Sequence, residues 1–137
     1  MATGRVQITF DCVDPDSLAA FWAAVLGYPA PDLAGRDEHL RSIGIPESDL
    51  GNWCRIDDPE ERRPRLFFQR VPEGKVAKNR VHLDVGVTPG GPSTPDVIDA
   101  EVRRLLDLGA TVVRPVKDES SYFVVMQDPE GNEFCVD

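Results

Sequence analysis

One arrangement occurs twice along the chain, and an internal repeat constrains a fold more tightly than any single motif. Residues 6 to 12, VQITFDC, set Val6, Ile8 and Phe10 on one face and Gln7, Thr9 and Asp11 on the other. That is the period of a half-buried strand. Asp14-Pro15-Asp16-Ser17 then supplies a turn and helix N-cap with proline in the first turn. In LAAFWAAVLG, Leu18, Phe21, Trp22, Val25 and Leu26 form a helical stripe, and Gly27 stands where a C-terminal cap belongs. The second half repeats this order. VHLDVGV, residues 81 to 87, alternates Val81, Leu83 and Val85 against His82, Asp84 and Gly86. TPGGPSTPD leads into VIDAEVRRLLDLGA, where Val97, Ala100, Val102, Leu105, Leu106 and Leu108 predict an amphipathic helix closed by Gly109; TVVRPV opens a new strand. The hairpins match too. NWCRIDDP (52–59) runs through EERRP to RLFFQRV, and YFVVMQDP (122–129) runs through EGN to EFCVD, with D-P-E at both turns.

The expected fold is therefore α+β, a single domain over residues 1–137 made of tandem βαβββ units. Unit one covers about 4–72, a linker about 73–79, and unit two about 80–137. With each helix on one sheet face, the sheets are expected to curl and leave their polar-facing residues lining a cleft. Composition narrows the partners. A formal charge of −9 argues against nucleic acid, which needs a basic face to displace counterions. The longest apolar stretch, LAAFWAAVLGY, falls short of the ~20 residues of a membrane span, so no membrane partner is expected. MATGRVQITF enters a strand without a signal-peptide pattern. Cys12, Cys54 and Cys135 lack paired spacing, and C-x-x-C and H-E-x-x-H are absent. Reduced thiols in a cytoplasm are the expectation.

HLD at 82–84, the Leu-Gly helix endings and the terminal DPEGNEFC resemble the vicinal oxygen chelate superfamily. Its members include glyoxalase I, bleomycin-resistance proteins, extradiol dioxygenases and fosfomycin-resistance enzymes. FFQRVPEGKVAKNRVHLDV and AEVRRLLDLGATVV are similar to the actinobacterial glyoxalase-like domain subgroup. The resemblance spans essentially the whole chain and implies the glyoxalase/bleomycin-resistance fold and a homodimer. In metal-using members, the first and last strands of each unit supply ligands. Carried over by position, these are Gln7, His82, Cys135 where the family has glutamate, and Gln69 or Phe67. No carboxylate falls at an aligned position, although Glu133 shares a face with Cys135 and restores one under a shifted register. No metal is favoured; if one binds, the resemblance implies a divalent zinc, nickel, manganese or iron held by Gln7, Gln69, His82 and Cys135 or Glu133.

His82 is the candidate catalytic residue, as metal ligand or general base, with Asp84 on its face to orient or charge it. The bland alternatives are a hydrogen-bonded structural histidine and a loop-capping aspartate. Cys135 reads as a small packed hydrophobe unless a neighbour lowers its pKa. Cys12 shares parity with the helix-facing residues and reads as core, and His39 lies in a charged, irregular, solvated region. Trp53, Phe67, Phe68, Tyr122 and Phe123 fall on strands, some in the core and some in a pocket suited to a flat small molecule. The expected ligand contacts are Gln7, Thr9, Trp53, Phe67, Gln69, His82, Asp84, Tyr122 and Cys135. KVAKNR reads as a solvated linker or a charged rim, and the acidic residues of DDPEERR as surface. Two functions follow. The first is a small-molecule-binding protein without a tight metal. The second is a lyase or isomerase acting on a carbonyl or diol through His82, with or without a metal, and without glyoxalase I activity.

Overall fold

The computed structural model describes Met1 and residues 4–137 and divides into two compact units, Met1–Gly74 and Lys75–Asp137. In unit one the elements are β1 (Gln7–Cys12), α1 (Pro15–Leu26), α2 (Leu33–Ser42), a 3-10 helix (Glu47–Asn52), β2 (Trp53–Ile56) and β3 (Arg65–Arg70). The sheet runs β1-β3-β2, with β1 parallel and β2 antiparallel to the central β3. Asp14 caps α1 by accepting from the Ser17 backbone, Pro15 opens it, and Gly27 ends it at φ 66°, a left-handed conformation that glycine adopts without a Cβ clash. The buried stripe of Leu18, Ala19, Phe21, Trp22, Ala23 and Val25 packs onto β2 and β3. Phe10 lies 5.3 Å from both Trp22 and Phe68, ring centre to ring centre. Burying such side chains removes about 2–3 kcal/mol each of apolar exposure, the main force setting α1 on this sheet.

Unit two contains β4 (Asp84–Val85), α3 (Pro95–Asp107), β5 (Thr111–Lys117), β6 (Tyr122–Gln127) and β7 (Glu133–Val136). Its sheet runs β4-β7-β6-β5, with β4 parallel to β7 and the other pairs antiparallel. Ile98, Val102 and Leu105 of α3 are buried, as are Val124, Met126, Phe134 and Val136 of the sheet it contacts.

Both D-P-E turns are built on a buried carboxylate. Asp58 accepts from the backbone of Glu60, Arg62 and Arg63, and Asp128 from the backbone of Glu130 and Asn132 and the Asn132 side chain. These are the buried polar residues among those described, so Asp58 is not the surface charge its DDPEERR context suggested. Arg63 adds to the first turn by donating to the Leu26 carbonyl at the end of α1, with its guanidinium over the Tyr28 ring.

Several expectations need correction. Unit one has three strands, because PDLAGRDEHLRSIG forms α2, capped by Asp32, where unit two forms β5. That segment lacks strand alternation and buries Leu40 alone within α2, so His39 lies on a helix rather than in irregular chain. The strand expected over 81–87 shortens to Asp84–Val85, with flanking backbone bonds from Cys135 to Leu83 and from Val87 to Asp137. Extending the register puts Val81 opposite Asn132, already in the turn, and Val81 is exposed. On α3, Val97, Leu106 and Leu108 are exposed and Ile98 is buried, because the sheet covers a narrower arc than the apolar positions span. Val6, which precedes the first paired residue of β1, is exposed as well.

Candidate functional site

In unit one the pairing register decides which side chains share a face. Gln7 opposes Arg65, Thr9 opposes Phe67, and Asp11 opposes Gln69; Trp53 and Arg55 of β2 oppose Gln69 and Phe67. Directly paired residues point to the same side of a sheet. Gln7, Thr9, Trp53, Phe67 and Gln69 therefore lie together on the face away from α1. Trp53 and Phe67 stack there at 5.7 Å and 23°. Gln69 donates to Asp11 at 2.8 Å, and Gln7 donates to the Thr9 hydroxyl at 3.4 Å.

The same face carries groups the sequence reading passed over. Arg55 and Arg65 have the parity of Trp53 and Phe67, a signal present in WCRI and RLFFQR once the register is known. Arg65 meets Asp57 at 2.6 Å, Arg55 meets it at 3.5 Å and Arg5 at 3.6 Å. Beside β2, a cavity of about 640 Å³ opens against α2, lined by Pro29, Pro31, His39, Leu40, Trp53 and Arg55 among others. Arg36 holds its wall in place through a bidentate pair with Asp16, a contact with Asp37 and a bond to the Trp53 carbonyl at 3.0 Å. Desolvation lowers the pKa of Arg36 but its carboxylate partners, Asp16 foremost, outweigh that and hold it charged.

In unit two, Asp84 pairs with Cys135, and His82 stands two residues before Asp84. His82 Nε2 lies 3.4 Å from an Asp84 oxygen, and the donor atoms of His82, Asp84 and Cys135 all fall within 4.8 Å of one another. Burial pushes the Cys135 thiol pKa up and the Asp84 carboxylate pushes it further, so the sulfur is a protonated hydrogen-bond donor at neutral pH rather than an activated nucleophile. As a metal centre, one imidazole, one carboxylate and one sulfur match the three-ligand, one-open-position zinc pattern better than the all-oxygen set of a hard cation. The carboxylate in that set is Asp84, from the first strand of the unit.

Glu133, the alternative ligand, is otherwise engaged. Its carboxylate accepts from the Asn79 backbone at 2.9 Å and pairs with Lys75 at 3.1 Å, with Gln127 at 3.4 Å. Burial alone would raise its pKa, but these donors together hold it down at about 2. Lys75 and Asn79 of the KVAKNR segment are thereby tied to β7 of unit two. Tyr122 does not share a face with Cys135. It lies on the helix side, where its hydroxyl donates to Asp99 of α3 at 2.6 Å, and Phe123 takes the open side instead.

The sequence matches the family model described as "Glyoxalase-like domain" over residues 7–136. Among curated proteins, none matches. Solved structures share its fold. A glyoxalase/bleomycin resistance protein/dioxygenase family enzyme from Burkholderia phytofirmans PsJN superposes with TM-score 0.63 at 18% identity, covering 95% of this chain and 94% of that one. A hypothetical protein from S. aureus gives 0.65 at 16%, covering 99% and 93%. The fosfomycin resistance protein FosX from Mesorhizobium loti gives 0.62 at 12%, covering 99% and 92%. At these identities the likeness is one of fold, two small mixed sheets with their helices, as the repeat predicted. With the family model spanning nearly the whole chain, the protein belongs to the glyoxalase-like domain family of the vicinal oxygen chelate superfamily.

Proposed function

We propose that the protein binds a small organic molecule on the open face of the unit-one sheet and needs no tight metal to do so. The observation that carries this reading is the stacked Trp53–Phe67 pair, half-buried and flanked on the same face by Gln7, Thr9 and Gln69. Stacked aromatics offer a flat apolar platform, and the amides and hydroxyl fix orientation. Heteronuclear NMR tests it. The chain has two tryptophans, and Trp22 is buried in the core while Trp53 is on the face. Titration with a panel of planar aromatic compounds is expected to move the Trp53 indole resonance and leave that of Trp22 in place. A panel that moves neither, or moves Trp22 alone, removes the reading. Three free cysteines suit a reducing, cytoplasmic setting. The assembly proposed is a homodimer, which a monomer mass by light scattering would exclude.

The His82, Asp84 and Cys135 cluster favours a second reading, a lyase or isomerase acting on a small carbonyl or diol. A divalent ion held there would polarise a substrate oxygen as a Lewis acid. Of the chain's own groups, Asp84 orients the His82 ring, and His82 supplies a base when no ion is bound. Elemental analysis of untagged protein, with thermal melts across nickel, zinc, manganese and iron(II), decides it. Near one ion per chain, with a melting-temperature rise lost in His82→Ala, supports the second reading. Absence of ion and of any shift leaves the first.

A further inference from the structure

We infer that the ligand of the unit-one face is a planar aromatic anion, a ring system bearing a carboxylate, with Arg55 as the group that reads its charge. This rests on the small-molecule reading above and names the chemical class of its ligand.

The charges on this face are unevenly paired. Arg5, Arg55 and Arg65 converge on the single carboxylate of Asp57, and Glu61 adds one more through Arg5 at 2.9 Å. With Asp11 on the same face, three guanidinium groups meet three carboxylates, so what sets this patch apart is how its charges are paired. Arg55 is the arginine left weakly paired. Arg65 holds Asp57 at 2.6 Å and Arg5 is drawn to Glu61, whereas Arg55 reaches Asp57 only at 3.5 Å, beyond a good hydrogen bond for either group. Its side chain is 55% exposed. A guanidinium carries five N–H donors in a planar fork that matches a carboxylate edge to edge, and those of Arg55 are largely unspent.

Position gives this charge a purpose. Arg55 stands two residues from Trp53 on β2 and directly opposite Phe67 on β3, so all three project from one face. Residues two apart on a strand are separated by about 7 Å, roughly the reach from the centre of a small ring system, through a carboxylate on its rim, to the donor that binds it. A ring laid on the Trp53–Phe67 platform therefore brings such a carboxylate to the Arg55 fork. The cavity beside β2, about 640 Å³, shares Trp53 and Arg55 with this face without reaching Phe67, so it adjoins the platform at its β2 edge.

Calorimetry with 2-naphthoate and its neutral isostere 2-naphthamide tests this, with the Trp53 indole resonance followed in parallel. Naphthoate is expected to bind about tenfold tighter than naphthamide to the parent protein. Arg55→Gln should bring the two within about twofold by weakening naphthoate alone, and Arg55→Lys should restore part of the preference. Arg103→Gln, an exposed charge on α3 in the other unit, should change nothing. Equal binding of the two probes to the parent protein overturns the anion inference and leaves the aromatic-face reading standing. Failure of both probes to move the Trp53 resonance overturns both. A naphthoate preference that survives Arg55→Gln puts the anion elsewhere and also overturns the inference.

Discussion

With Gln7 set opposite His82 in the repeat, the strand registers of the two sheets line up residue for residue. Thr9 and Phe67 then correspond to Asp84 and Cys135, and Arg65 corresponds to Glu133. The register thus gives Phe67, not Gln69, as the counterpart of Cys135. Unit one has an aromatic ring and a guanidinium at the positions where unit two has a thiol and a carboxylate. Its face is an aromatic platform edged by arginines, while that of unit two gathers a nitrogen, an oxygen and a sulfur donor. The two units differ at the edge as well: unit two completes a fourth strand where unit one substitutes α2 and leaves a cavity along β2.

The comparison assumes equivalent cores under unlike faces, and the largest expected effects test that. Phe68 and Phe134 are both fully buried, one in each unit. Phe68→Ala and Phe134→Ala should each cost about 3–5 kcal/mol in urea unfolding. A loss below about 1 kcal/mol at either position would show that one unit lacks a true core. Next come the turns. Asp128→Ala removes the acceptor for several donors and should cost about 3 kcal/mol, with Asp58→Ala lowering the melting temperature in the same direction. If only one of them matters, the shared D-P-E is a coincidence of sequence rather than a shared device.

Glu133 sharpens the contrast with Arg65 through pH. Its folded carboxyl titrates at about 2 against an ordinary value of 4.5, so its contribution to stability is whole above 4.5 and is lost as pH falls toward 2. Glu133→Gln should melt below the parent at neutral pH, and the two curves should converge in acid; a constant gap would mean the carboxylate charge is not what anchors Lys75 and Asn79. The smallest effect is expected at Tyr122→Phe. Losing the bond to Asp99 should cost about 1 kcal/mol and leave naphthoate affinity unchanged. A change in affinity would return Tyr122 to the binding residues.

The repeat, the caps at Asp14 and Gly27, the paired turns and the two main helices were all legible from the sequence, because each is a local preference. Alternation placed Gln7 and Thr9 on the polar side of β1 correctly for the same reason: a side chain's face follows from its parity along its own strand. What parity cannot give is the partner strand. Only the pairing set Arg55 opposite Phe67, Asp84 opposite Cys135, and Tyr122 on the helix side. The reach of Arg5 to Asp57, and the capture of Glu133 by residues from the segment expected to be a linker, join positions far apart in the chain. Those contacts depend on long-range packing, which no local spacing encodes.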